Sequence, residues 1–291
     1  MTRLLPTRLP RFLSGPVIAV FAAAWLLASA AAAGPAAAEA PVPDGLDALL
    51  AAGIGRFQAG SDAWDAGSLE EAARILGRAC TAFPDSRAAA YWQGTALFTL
   101  TLHRCAEAAA ARGRTDLDAR IDAAARALER AAALDPDDAE SQAMLATLAG
   151  LRMARHPAQA LWLGPVYIRR RQRALQAGAD NPRVAYLVGM GYARGAARQG
   201  GKAKALDALL RAERLFAAER LQPASRLTPR WGYDHCLMFI ADLCLELGRP
   251  GEAARYWRKT LDVNPRNELA RQRLQALGRR PAEVPARVIR K

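Results

Sequence analysis

The sequence predicts an all-α fold: a right-handed α-solenoid of about five stacked helix pairs with insertions. Three observations carry that expectation. The 291 residues include 68 Ala but only 9 Val, 7 Ile and 10 Thr. Ala loses no side-chain entropy in a helix, whereas β-branched side chains are stiff and suit strands. Apolar residues recur at 3–4 spacing in stretches closed by Gly or Pro, which is a helical period. A unit of 34 residues, clearest at 234–267, recurs in part along the chain. The 52% hydrophobic content is ample for a core and excludes disorder throughout. Four Cys in so long a chain exclude a disulfide scaffold.

Residues 1–38 read as an export signal. Arg3, Arg8 and Arg11 form a basic start, and no charge occurs from Phe12 to Ala38. Ala36-Ala37-Ala38 before Glu39 offers a small-x-small cleavage site. An uncleaved anchor is the alternative, since the uncharged stretch is long enough to span a bilayer. Either way the arginines stay inside and the body faces the periplasm or the exterior. The first Cys is Cys80 and the early arginines are not adjacent. Lipid modification at an N-terminal Cys and twin-arginine export are therefore not expected. Cleavage lowers the net charge from +13 to +10, nearly all of it from Arg, with Lys only at 202, 204, 259 and 291. In an exported protein this excess points away from nucleic acid and towards an anionic envelope surface or an acidic protein; scattered solvated arginines are the plain reading.

The clearest unit runs from Asp234 to Asn267. Leu237, Ile240, Ala241 and Cys244 mark one helix, and Gly248-Arg249-Pro250-Gly251 breaks it. Ala253, Trp257, Thr260 and Leu261 mark a second helix, which Asn264-Pro265 ends. Antiparallel helices approach closely only where side chains are small, and Pro cannot continue a helix. The unit resembles a tetratricopeptide repeat: Ala241, Gly248, Ala253, Trp257 and Pro265 stand where that family has its small, turn, small, aromatic and terminating residues. Thr260 and Cys244 depart from it.

The same template recurs upstream. Gly67, Ala72, Leu76, Ala79 and Pro84 fit a unit of about 53–86. Ala124, Leu128, Ala131 and Pro136 form the second half of the next, with Gly94 as the small residue of its first helix and an insertion expected near Glu107–Thr115. A third unit pairs Ala139, Leu145, Ala146 and Ala149 with a helix near 165–178, and Arg152–Pro165 absorbs its extra length. Gly200, Ala205, Leu209 and Ala212 belong to a fourth, one residue out of register. Residues 268–277 suit a terminal cap. The repeat domain is thus expected over 39–278, followed by a disordered basic tail at 279–291. Asn181-Pro182-Arg183, Gly200-Gly201-Lys202, Phe216, Pro229 and Trp231-Gly232 further resemble a variant seen in small secreted bacterial repeat proteins.

No motif asks for catalysis. His103/Cys105 and His235/Cys236 lack metal-ligand spacing, so no metal and no cofactor is expected. Cys236 and Cys244 lie roughly 12 Å apart on one helix, and Cys80 and Cys105 roughly 20 Å apart, so buried thiols are expected unless Cys80 or Cys105 pairs with a residue across repeats. No Gly-x-Ser-x-Gly, Walker or dinucleotide motif occurs. In the run Arg169-Arg170-Arg171-Gln172-Arg173, positions 169 and 173 share a helix face while 170 and 171 turn away. A solvated helix is one reading and an anion or lipid-head contact the other.

The resemblance implies a function in recognition, because first helices of such repeats line a concave groove. Carried over by repeat position, the groove residues are Phe57, Trp64, Tyr91, Thr95, Phe98, Met190, Arg194, Arg198, His235, Met238 and Asp242. Aromatic and Arg side chains are favoured anchors in such surfaces. The expectation is a non-enzymatic, exported scaffold or assembly adaptor that holds a protein or peptide segment in the groove. The alternative is a ligand-binding accessory of an envelope transport system, similar to the T-component of TRAP transporters, which needs a closed apolar pocket.

Overall fold

The computed structural model describes residues 45–111, 116–194 and 201–278, without the side chains of 108–111 and 194. The expected export signal, the tail, Arg198, Gly200 and part of the Glu107–Thr115 insertion lie outside the described residues.

The described chain is helical without strands. Its helices are α1 (Leu46–Ala63), α2 (Ala66–Ala82), α3 (Arg87–Ala111), α4 (Leu117–Leu134), α5 (Ala139–Arg155), α6 (Ala160–Ala177), α7 (Pro182–Arg194), α8 (Gly201–Glu219), α9 (Tyr233–Glu246), α10 (Pro250–Val263) and α11 (Glu268–Gly278). They pack as successive pairs, α1 on α2 through α9 on α10, with α11 closing the stack against α10. This is the α-solenoid that the repeat spacing predicts.

The turns between pairs explain the recurrent prolines. Ser86 Oγ accepts from the Ala89 amide (3.2 Å), Asp138 Oδ1 from that of Ser141 (3.3 Å), Asn181 Oδ1 from that of Val184 (3.3 Å) and Asn267 Oδ1 from that of Ala270 (3.0 Å). Each junction thus satisfies amides that a helix start leaves open. Pro182 and Pro250 are first residues of their helices, a position where the missing N–H costs nothing.

Small residues sit at the seams. A Cβ on Gly94 would lie 2.6 Å from Leu128 Cδ2, and one on Gly189 would lie 2.8 Å from Leu209 Cγ. Ala241 and Ala253 of the last pair are fully buried. Around these seams runs one core that includes Trp92, Trp257, Phe57, Phe98 and Phe216. Cys80, Cys236 and Cys244 are buried in it and Cys105 is half-buried.

Two details differ from the sequence reading. The extra length near Glu107–Thr115 partly extends α3 to 25 residues, because the Ala-rich stretch continues the helix. The Arg152–Pro165 region finishes α5 at Arg155, makes a short 3₁₀ turn at Pro157–Gln159, and starts α6 at Ala160 with Pro165 inside it.

Candidate functional site

Most of the expected groove residues that lie within the described chain are covered by other parts of the protein. Phe57, Tyr91, Thr95, Phe98, Met190 and Met238 are all buried. Phe57 packs on Trp92, with ring centroids 5.5 Å apart. Thr95 is fully buried, and its Oγ1 donates to the Tyr91 carbonyl one turn back (2.9 Å). Trp231, from the segment between α8 and α9, reaches into the inner face: its Nε1 donates to the Tyr91 hydroxyl (3.0 Å) and its ring lies 6.5 Å from Phe98.

The first and last pairs also meet. Trp64 lies between His103 and His235, at 5.0 Å from each ring, and the Asn264 amide donates to the Asp62 carbonyl (2.9 Å) and the Asp234 carboxylate (2.7 Å). Trp64 holds a left-handed backbone, φ 52°, which costs a bulky residue on the order of 1–3 kcal/mol. Its ring contacts and the His103 Nε2–H bond to its carbonyl (2.9 Å) offset that cost. The expected open groove is therefore a closed ring in this structure. The physical reason is curvature: repeat position determines which side faces inwards, while the curl of the whole stack decides whether that side meets solvent or another repeat. Of Arg194 only the backbone is described.

Asp242 is partly exposed, yet it stands among enough protein atoms for burial to raise its pKa from 3.8 to about 6, with Arg273 opposing and Glu246 reinforcing the shift. A folded acid with a raised pKa binds its proton at a higher pH than the unfolded chain does. This contribution therefore favours the folded state at low pH and is lost as pH rises from about 4 to about 6. Asp242→Asn should flatten that slope and raise the melting temperature at neutral pH, as read by thermal melts across the interval. An unchanged slope would place the titration elsewhere.

Sequence reasoning missed the polar cluster beneath the ring. Arg183, only 4% exposed, donates from Nε to Glu140 Oε1 (2.6 Å) and through both terminal nitrogens to Glu219 (2.9 and 2.6 Å). Asn181 Nδ2 and the Tyr91 hydroxyl also donate to Glu140. Burial opposes the charge on Arg183, but Glu140 and Glu219 outweigh it and hold its pKa above the usual guanidinium range. Burial, then Glu140, pushes the Tyr91 hydroxyl well up. The only sequence signal was Asn181-Pro182-Arg183, which looks like any helix start.

An open cleft remains elsewhere. α6 packs along α5 but barely meets α7, and Ala174 is its only buried residue. Between these helices lies a cleft of about 740 Å³, walled by Leu151, Leu187, Met190, Tyr167 and Tyr192. Arg171 sits 4.9 Å and Lys204 4.4 Å from the centroid of the Tyr192 ring. Such cation–ring contacts place positive charge at an apolar wall. The arrangement suits an apolar group that carries a carboxylate or another anion. Among the described residues no three His, Cys, Asp or Glu side chains converge as a metal site requires. None of the described helices is long and apolar enough to cross a membrane.

No family model matches the sequence, and no curated protein matches it. Among solved structures the chain is similar to TTC0263, a thermophilic TPR protein of Thermus thermophilus. The TM-score is 0.52 at 18% identity, over 78% of this chain and 98% of that one. It also matches MamA 41-end from Desulfovibrio magneticus RS-1, at TM-score 0.36 and 14% identity, over 78% and 99% of the two chains. The first likeness shows the fold: this is a tetratricopeptide-type stack of helix pairs.

Proposed function

We propose that this chain is a non-enzymatic interaction protein that binds a segment of a partner protein. It works in the periplasm or outside the cell after export; the basic start, apolar run and Ala36-Ala37-Ala38 site support that location. One observation carries the reading of the site. The cleft beside α6 sets two tyrosines and two cations over an apolar floor, whereas Phe57, Tyr91, Thr95, Phe98 and Met238 of the expected groove are buried. Arg171 already bridges Tyr167 and Tyr192, so the partner segment places an apolar side chain against the wall at Leu151 and Tyr192 and an acidic group at Arg171 and Lys204. Aromatic and Arg anchors are the residues that dominate such interfaces. The concave residues would join in recognition only if the ring opens at the Trp64–His235 contact.

The test is affinity capture from native envelope with the wild type and with a Tyr192→Ala, Lys204→Gln variant. Loss of an anchor of this kind weakens binding about tenfold or more. A specific protein recovered by the wild type should fall by at least that factor in the variant, with circular dichroism unchanged. Equal recovery by both would reject the cleft as the site.

The small-ligand reading, an accessory of envelope transport, is favoured by the cleft's volume and apolar wall, since about 300–1,000 Å³ is usual for small-molecule sites. Native mass spectrometry that finds a bound small anion on the purified chain, with no protein partner captured, would favour it over the adaptor.

A further inference from the structure

We propose that the outward stripe of α6 is a contact surface for a bilayer bearing anionic phospholipid. The stripe shares only Ile168 with the lining of the cleft, and its other residues stand apart from the partner-binding reading. The exposed residues of α6 follow helical spacing along one face: Leu161, Trp162, Pro165 and Ile168, then Arg169, Gln172 and Arg173. The first half is apolar and bare. Leu161 is 84%, Trp162 58% and Ile168 53% exposed. The second half is basic, and neither Arg169 nor Arg173 pairs with a carboxylate among the described residues. The whole helix carries four Arg and no acid.

Solvated helices do not normally leave a Leu, a Trp and an Ile bare on one stripe, and large exposed apolar patches mark interaction surfaces. A protein partner would need apolar and acidic patches set in matching order along the same line. An anionic bilayer offers that order at every point, with acyl chains below the phosphate layer. Trp favours the interfacial depth, and arginines bind at the phosphates. The charge, +13 for the full chain and +10 after the expected cleavage, has the complementary sign. α6 would lie on the membrane, apolar turns dipped in, without spanning it.

The test uses protein purified from cells expressing the full chain, with vesicles of phosphatidylcholine containing about one third phosphatidylglycerol. Wild type should sediment with these vesicles and bind pure phosphatidylcholine far more weakly. Arg169→Gln with Arg173→Gln should weaken binding on the order of 10- to 30-fold, and Leu161→Ser with Trp162→Ser by about 100-fold. All four side chains are exposed, so melting temperatures should stay near wild type. A second measurement does not depend on losing affinity. The emission that Trp162→Phe removes should be quenched by phosphatidylglycerol with brominated chains, which isolates Trp162 from the other tryptophans. Quenching confined to the other tryptophans would overturn the proposal, as would equal vesicle binding by all variants. If the wild type is a dimer that Leu161→Ser with Trp162→Ser makes monomeric, the stripe is a self-association surface and the proposal is wrong.

Discussion

Arg183→Leu should be among the most damaging single substitutions in the protein, costing about 3–5 kcal/mol, the usual effect of leaving one partner of a buried ion pair alone. Glu140 is 6% exposed, and Glu219 is partly buried with both oxygens turned to the guanidinium. Removing Arg183 leaves both carboxylates facing a hydrocarbon side chain. It also loosens Glu140, which ties α5 to Tyr91 of α3 and Asn181 at the start of α7. Arg183→Lys should cost less, because it keeps the charge but cannot reach two carboxylates with a planar fork. Arg183→Leu combined with Glu140→Leu should recover part of the loss, since apolar replacement of a whole buried pair is often close to neutral. Urea titrations of the three variants provide the test. A loss below about 1 kcal/mol for Arg183→Leu would mean that the pair is solvated, as surface pairs are.

This cluster shows where sequence reasoning stops. The helix-pair rhythm was legible because each junction uses chemistry local to a few residues: an Asn, Asp or Ser cap beside a Pro, and a small residue opposite a Leu. Gly94 was identified as a seam residue in this way, and it faces Leu128 as that reading requires. Gly189, the seam residue of α7, went unrecognised because the fourth unit was anchored on Gly200 instead. The fate of the groove could not be read locally. Tyr91 meets Trp231 across 140 positions and Asn264 meets Asp62 across 202, so no window of one repeat contains either contact. Position within a repeat says which side of a helix faces inwards; only the accumulated twist of the stack says what covers it. The arginine run was half legible. Arg169 and Arg173 are exposed on one face while Arg170 and Arg171 are half-buried, as the spacing requires, but the bare apolar turns ahead of them depend on how far α6 stands from α7.

The same substitution should change sign with position along these helices. At Gly94, Ala would add helix propensity, worth about 1 kcal/mol. Its Cβ, however, would sit 2.6 Å from Leu128 Cδ2 and 3.3 Å from the Leu128 amide nitrogen. Leu128 is fully buried, and the amide belongs to α4's backbone. Overpacking of this kind costs about 1–3 kcal/mol and outweighs the propensity gain. Gly94→Ala should therefore destabilise by about 1 kcal/mol, and Gly94→Leu, which drives three more carbons into the seam, by about 3 kcal/mol or more. At Gly55 of α1 a Cβ meets nothing within 4 Å, so Gly55→Ala should stabilise by about 0.5–1 kcal/mol through propensity alone. Gly94→Ala combined with Leu128→Ala should cost less than the sum of the two single losses if the seam is the cause, because Ala removes both the Cγ and the Cδ atoms that the new methyl strikes. Denaturant midpoints measured side by side decide it. Equal and favourable shifts at Gly55 and Gly94 would mean that α3 and α4 do not touch there, and the helix-pair register would have to be redrawn.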